Sequence, residues 1–206
     1  GYIIAGRTET YGVNAGSGNP NIYLLKLDAN GDTVWSKGIG SNGWDEGYEV
    51  WQTADNGYII AGIFSNGNGD RDAYIVRTDA NGIVQWEKNY GGNSWDEARH
   101  IQPVSGGGYI VAGFYNAVDD GSGQPGNSDF YVLRLDANGD TLWTKTYGGS
   151  GTDAAYCIRQ AKDGNFILAG KSDSYGTGGM NGYLLKIDGN GNEIWNQIIP
   201  GGFEEV

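Results

Sequence analysis

The stretch Gly57–Gly62 (GYIIAG) decides the fold of this chain, because close variants of it occur four times. The other three copies are Gly1–Gly6 (GYIIAG), Gly108–Gly113 (GYIVAG) and Asn165–Gly170 (NFILAG). Self-similarity at a period of about 50 residues marks a repeat architecture, in which each unit buries its apolar face against the next. Each copy is a short, almost wholly apolar run, which is typical of a strand covered on both faces.

A second phrase follows each copy and ends in tryptophan, as in YLLKLDANGDTVW. The Asp-x-Asn-Gly segment within it predicts a tight turn, since glycine supplies positive φ and the aspartate side chain accepts backbone N–H groups. The tryptophan comes four residues after each turn, and a large ring at one fixed position of every unit is expected to pack between adjacent sheets. The tryptophans are Trp35, Trp86, Trp143 and Trp195, and the turns begin at Asp28, Asp79, Asp136 and Asp188.

One unit contains four strand-like runs joined by short turns, which we label A to D: Glu46–Thr53, Tyr58–Phe64, Ala73–Thr78 and Ile83–Tyr90. Four hairpin-linked strands per unit predict a propeller blade. We therefore predict an all-β fold, a β-propeller of four-stranded antiparallel blades with strand A innermost and negligible helix. The repeats span about 1–44, 45–95, 96–152 and 153–203, so that 1–206 is one four-bladed ring or part of a larger propeller.

The first unit has no A strand of its own, which leaves ring closure open. The segment Phe203–Val206 could begin the missing strand, yet four residues are short for one. A small closed ring, an arc of a larger ring, and completion by neighbouring copies all remain possible. We expect the chain to be part of a longer or processed protein, with the last strand extending beyond Val206.

Charge and composition exclude several functional classes. The net charge of −12 argues against a nucleic-acid partner, because phosphates would be repelled. No apolar run approaches the length needed for a membrane span. Cys157 and His100 are each the only residue of their type, and we interpret both as inert strand side chains. Without a nucleophile–histidine pair or a phosphate loop, we predict a protein that is not an enzyme, although carboxylates suitable for a glycosidase are plentiful.

A calcium role competes with the structural interpretation of the Asp-x-Asn-Gly turns, because DANGD resembles the start of a calcium loop. The third acidic position is not kept, since Ile83 and Asn192 occupy it in two units, and a glutamate at the twelfth position is missing. We therefore expect no cofactor and no ion in these turns. Calcium, if bound, is expected in the B–C loops, where Asp119 and Asp120 are the candidates.

The candidate binding site lies at one end of the blades. In an up-and-down blade the B–C and D–A loops share one face, and these loops hold nearly all of the variation in length. On this face a tryptophan precedes an acid in two units, and an exposed ring beside carboxylates can stack on and hydrogen-bond a sugar. The alternative is that these tryptophans cap the interface between blades. The candidate ligand-binding residues are Trp44, Asp45, Trp95, Asp96 and Asp153.

The phrases GYIIAG, YLLKLDANGDTVW and WDEGYEVWQTADNG together resemble the ~50-residue propeller repeats of large secreted and cell-surface bacterial proteins. The blade is also similar to that of quinoprotein dehydrogenases, whose cofactor residues have no counterparts here. The resemblance implies an exported, extracellular or cell-surface protein. We expect a non-catalytic binding or adhesion module that presents the loop face to a glycan or a protein. The alternatives are a structural subunit or spacer of a surface layer or filament, and a glycan-active enzyme.

Overall fold

The structure is a computed structural model that describes residues 1–12, 16, 18–65, 70–119, 125–176 and 178–201. These residues form strands and turns without a helix, which confirms the all-β prediction. The strands are β1 Tyr2–Thr8, β2 Asn21–Leu27, β3 Thr33–Ile39, β4 Glu46–Gln52, β5 Tyr58–Ser65, β6 Arg71–Thr78, β7 Val84–Tyr90, β8 Trp95–Pro103, β9 Tyr109–Asp119, β10 Pro125–Gly126, β11 Asp129–Leu135, β12 Thr141–Tyr147, β13 Asp153–Gln160, β14 Phe166–Ser172, β15 Asn181–Ile187 and β16 Glu193–Ile199.

The strands form antiparallel blades in the order of the sequence. Blade 1 contains β1 to β3, blade 2 contains β4 to β7, blade 3 contains β8, β9, β11 and β12, and blade 4 contains β13 to β16. The short β10 pairs with the end of β9 and lengthens the B–C hairpin of blade 3. A single parallel pair, Arg71 with Trp95, connects blade 2 to blade 3 at their loop ends.

The A strands lie at the centre of the assembly, as the sequence predicts. Strand β4 is next to β8, and β8 is next to β13, so that successive A strands are neighbours. Blade 1 packs on blade 2 through β1 and β4. Among the described residues β1 has only β2 as a ladder partner, and blade 1 makes no comparable contact with blade 4. The described part of the chain is therefore an arc with two open ends.

Each C–D turn is built by its aspartate, which confirms the structural interpretation of these turns. In the first turn Asp28 Oδ1 accepts the N–H groups of Asn30 at 2.8 Å and Asp32 at 3.0 Å. The same two bonds recur, all between 2.8 and 2.9 Å, at Asp79, Asp136 and Asp188. The glycine of each turn has positive φ, from 74° at Gly82 to 91° at Gly31.

Three of the four tryptophans at the ends of the repeated phrase, Trp35, Trp86 and Trp143, pack between blades, which confirms the second prediction for blades 1 to 3. Trp35 of blade 1 meets Tyr58 of blade 2 edge to face, with ring centroids 5.9 Å apart. Trp86 of blade 2 meets Tyr109 of blade 3 in the same way at 6.3 Å. The fourth tryptophan, Trp195, has no following blade in the described chain, and 40% of it is exposed.

Three sequence expectations concern parts that the structure does not describe. The segment Phe203–Val206 lies outside the described residues, as does the calcium candidate Asp120. The side chain of Asp119, the other candidate, is likewise outside the description, although its backbone ends β9. No helix in the described ranges is long and apolar enough to cross a membrane.

Candidate functional site

The B–C and D–A loops meet at one end of the blades and are hydrogen-bonded to each other. Asp45 N–H, in the loop between blades 1 and 2, donates to the Pro20 carbonyl of the blade 1 B–C loop at 2.9 Å. Its equivalent, Asp153 N–H, donates to the Ser128 carbonyl of blade 3 at 2.7 Å. Backbone bonds of this kind hold neighbouring loops at fixed positions, so this end offers an ordered surface.

Three of the sequence-predicted site residues are buried carboxylates that fasten these loops. Asp45, Asp96 and Asp153 are inaccessible to solvent. Each accepts a backbone N–H from its own D–A loop through Oδ2, at 2.5 Å from Ser41, 2.6 Å from Gly92 and 2.9 Å from Gly149.

The same aspartates also reach the B–C hairpin of their own blade. Asn116 N–H donates to Asp96 Oδ1 at 2.6 Å, and Ser174 Oγ donates to Asp153 Oδ2 at 2.5 Å. Their direct contact with a ligand stays a prediction. Because these carboxylates are buried and hydrogen-bonded to the loops, they are suited to hold the loops in position. Other side chains on the loops are then available to a ligand.

Burial sets the electrostatics of these carboxyl groups. Removal from water raises the pKa of Asp96 to about 6, against the lowering effect of the two N–H groups that it accepts. Burial also raises the pKa of Asp45, although bonds from Ser41 and Ser65 lower it. Asp45 and Asp96 therefore hold their negative charge less readily than exposed aspartates do.

This shift makes stability depend on pH with a defined sign. Because the pKa of Asp96 is raised from 3.8 in the reference state to about 6, the folded chain binds a proton more tightly than the unfolded chain. The contribution of Asp96 to the free energy of unfolding is therefore expected to fall as pH rises from about 4 to about 6, while the buried His100, whose pKa is lowered to about 4, contributes a slope of opposite sign. Asp96→Asn should remove the Asp96 contribution, so that the slope of unfolding free energy against pH becomes more positive than in the parent, as measured by urea unfolding midpoints across that range.

An exposed aspartate provides the control for this pH series. The pKa of Asp79 is lowered, chiefly by the backbone N–H of Ile83, so this residue titrates below the window. Asp79→Asn should leave the slope between pH 4 and pH 6 as it is in the parent chain. A slope equally steep in Asp96→Asn and in the parent would contradict the assignment.

The two candidate tryptophans have different environments. Trp95 is buried, packs edge to face on Phe114 at 5.9 Å, and donates from Nε1 to Glu97 Oε1 at 2.6 Å. The guanidinium of Arg71 covers its ring at 4.3 Å from the centroid. Trp95 thus caps the contact between blades 2 and 3, which is the alternative that the sequence left open.

Trp44 is the accessible member of the pair, with 37% of its surface exposed. The guanidinium groups of Arg7 and Arg71 lie over its ring, 5.3 Å and 5.9 Å from the centroid. Arg7 also approaches the Glu46 carboxylate at 3.7 Å, a distance that adds little stability at the surface. Trp44 and the two arginines form a partly exposed aromatic and cationic group, which we call the Trp44 platform.

Near the Trp44 platform lies a second charged pair, in which the carboxylate is buried and the arginine is partly exposed. Glu97 is almost fully buried, and its Oε2 is 2.5 Å from Nε of Arg99. Arg99 in turn covers the ring of Tyr48 at 4.3 Å. Burial raises the pKa of Glu97, partly offset by Arg99. This paired carboxylate supports the central strands and has no access to a ligand.

The arginines of the site were not identified from the sequence. Arg7 and Arg71 sit at opposite ends of different B–C loops, and Arg99 lies within an A strand. No phrase shared by the four units contains these arginines, so comparison of the repeats does not single them out. One feature of the sequence could have identified them. Arginines are scarce in a chain of net charge −12, and Arg7 and Arg71 flank the B–C loops that form the predicted binding face.

Metal and redox chemistry receive no support from the described residues. Within the described ranges there is no group of three or more His, Cys, Asp or Glu side chains that could hold a metal ion. His100 is nearly buried beside Arg159, and burial followed by that positive charge lowers its pKa to about 4. Cys157 is a free, partly buried thiol in β13.

Comparison with known proteins supports the propeller fold of the chain. The chain is similar to an endo-arabinase from Bacteroides thetaiotaomicron VPI-5482, with a TM-score of 0.51 and 15% identity, over 91% of this chain and 73% of that one. It is also 26% identical over 192 residues to the regulatory protein FlaEY of Caulobacter vibrioides. No family model matches the chain.

The two similarities concern the fold and part of a longer relative. The match to FlaEY covers 83% of this chain but 20% of FlaEY, so the chain spans about a fifth of that relative's length. At 15% identity the arabinase shares the propeller fold and nothing finer. The prediction of a propeller is thereby confirmed. Secretion, adhesion and carbohydrate binding stay predictions.

Proposed function

We propose that this chain is a non-catalytic binding module of an exported protein, and that it binds a glycan at its loop face. The observation that carries the proposal is the Trp44 platform. A partly exposed indole offers an apolar surface for a sugar ring, and the adjacent guanidinium groups offer N–H donors for hydroxyl or carboxylate oxygens. Loops held by buried aspartates keep these groups in place.

The cations favour an acidic glycan over a neutral one. Among the residues that the structure describes, Arg71 has no carboxylate within salt-bridge distance, and Arg7 has a single distant one. Guanidinium groups bind carboxylates in a bidentate manner, and such bonds are stronger than those to neutral hydroxyls. A glycan with a single uronic acid residue among neutral sugars therefore suits the Trp44 platform best, because the net charge of −12 repels a polyanion.

The burial of the acidic groups supports a binding function over a catalytic one. A general acid or base must come within hydrogen-bonding distance of its substrate. Of the carboxyl groups with raised pKa at this face, Asp45, Asp96 and Glu97 are buried and bonded to protein groups. Asp72 and Asp129, whose pKa values are also raised by burial, are partly exposed and are the carboxyl groups that the enzymatic alternative would use. The similarity to an endo-arabinase makes turnover of a labelled arabinan the direct test of the enzymatic alternative.

We expect saturable binding of an oligosaccharide that carries one uronic acid residue, measured by isothermal titration calorimetry, and weaker binding of neutral arabinan. Trp44→Ala should reduce affinity at least about tenfold, and Arg71→Gln should reduce the preference for the acidic oligosaccharide. Leu142→Ala is the matched control, because Leu142 is 59% exposed at the opposite end of the blades. Binding that survives Trp44→Ala unchanged would rule out the Trp44 platform, and no binding of any glycan would favour a structural spacer.

A further inference from the structure

The buried aspartate of blade 4 lacks a hydrogen bond that its equivalent in blade 3 has. Oδ1 of Asp96 accepts the N–H of Asn116 at 2.6 Å. At the equivalent position of blade 4, the N–H of Asp173 donates instead to the carbonyl of Thr152 at 3.1 Å. Oδ1 of Asp153 is therefore buried with no hydrogen-bond partner among the described residues, although the whole side chain is closed to solvent.

A second carboxylate faces Asp153 across the interface between blades 3 and 4. It belongs to Asp129, the partly exposed first residue of β11. A Cβ on Gly148 would overlap both Asp129 Oδ1 and Asp153 Oδ2, so these two oxygens lie beside the same glycine, less than about 5 Å apart. Burial, and after it the charge of Asp153, raise the pKa of Asp129, as expected for two like charges at short range.

The repeat places the same pair of carboxylates between blades 2 and 3, where both are accommodated differently. Asp72 and Asp96 lie beside Gly91 as Asp129 and Asp153 lie beside Gly148. There, however, each oxygen of Asp96 accepts a backbone N–H. The guanidinium of the residue before Asp72 also brings a positive charge to this interface.

The interface of blades 3 and 4 lacks that positive charge. Ser128 takes the position of Arg71 in the repeat, and Thr152 takes the position of Trp95. Two small neutral side chains thus replace a guanidinium and an indole, and no lysine or arginine in the described ranges lies within ion-pair distance of the two carboxylates. A buried carboxylate oxygen without a partner costs free energy, and in a native structure it indicates a bound ion or water.

We infer that Asp129 and Asp153 bind a calcium ion at the loop face, between blades 3 and 4. Calcium binds oxygen ligands at about 2.3–2.6 Å, so two carboxylate oxygens less than about 5 Å apart can share one ion. Two side chains supply only part of its set of about six to eight oxygens, and calcium accepts backbone carbonyls and water for the rest. The ion neutralises both charges and joins the C strand of blade 3 to the inner strand of blade 4.

Isothermal titration of calcium chloride into the chelator-treated chain tests this inference. The parent should bind one calcium ion per chain, and calcium at about a hundred times its Kd should raise the Tm by about 5 °C or more. Asp129→Asn should weaken calcium binding at least about 30-fold, because it removes one of the two charged ligands. Without calcium, the Tm of this variant should equal or exceed that of the parent, since a like-charge repulsion is relieved.

Asp72→Asn is the matched control, because it makes the same change at the same position of the preceding blade. Calcium affinity should stay within about twofold of the parent value in this variant. Three results would overturn the inference: no heat and no Tm change with calcium, calcium binding that survives Asp129→Asn, or an equal loss in Asp72→Asn. The last of these would show that the cation responds to the overall negative charge of the chain rather than to this site.

Discussion

Replacing Gly113 with alanine is expected to lower the free energy of unfolding by about 3 kcal/mol or more. Gly113 is the last residue of a repeated phrase, and it lies on β9 beside a bulge in the inner strand β8. A Cβ at this position would overlap the carbonyl oxygen of Glu97, a backbone atom that cannot rotate away. The measurement is urea unfolding monitored by circular dichroism.

The chain contains its own control for this substitution. Gly6 closes the first copy of the same phrase, but the described residues place no inner strand beside β1, and a Cβ on Gly6 would meet nothing within 4 Å. Gly6→Ala should therefore leave stability unchanged or raise it slightly, because alanine restricts the unfolded chain. Equal losses for the two variants would show that the inner-strand contact is not the reason for the glycine.

Replacing Trp86 with alanine is expected to cost about 2–4 kcal/mol of unfolding free energy. Its ring lies between blades 2 and 3, against Tyr109 and the turn at Gly139, where a cavity would remain. Thermal and urea unfolding at low protein concentration would measure the loss. The deletion should also reduce the cooperativity of unfolding, since stability in repeat architectures depends on contacts between neighbouring units.

Trp195→Ala is the matched comparison, because it removes the same side chain from the same position of the repeat. No blade follows blade 4 in the described chain, and 40% of Trp195 is exposed. Its loss should therefore cost less than about 1 kcal/mol in the isolated monomer. A large loss at Trp195 under dilute conditions would mean that its ring supports the blade itself rather than a contact with another blade.

The candidate site shows where sequence reasoning was sufficient and where it was not. The loop face, the aspartates and the two tryptophans all follow from the repeat, because they stand at fixed distances from its glycines. The different roles of the two tryptophans do not follow from the repeat. Trp44 and Trp95 stand in equivalent sequence positions, yet Arg71, Glu97 and neighbouring rings bury one and leave the other partly accessible.

The sequence by itself determined the blades, because four copies of one phrase give every unit the same strand order, the same Asp-x-Asn-Gly turn and the same tryptophan on strand D. Only the tertiary structure decided which of these equivalent positions are covered. Burial depends on the neighbouring blade, and the first and last units lack one neighbour each in the described chain. The same residue type is therefore core at Trp86 and surface at Trp195, a difference that no local pattern contains.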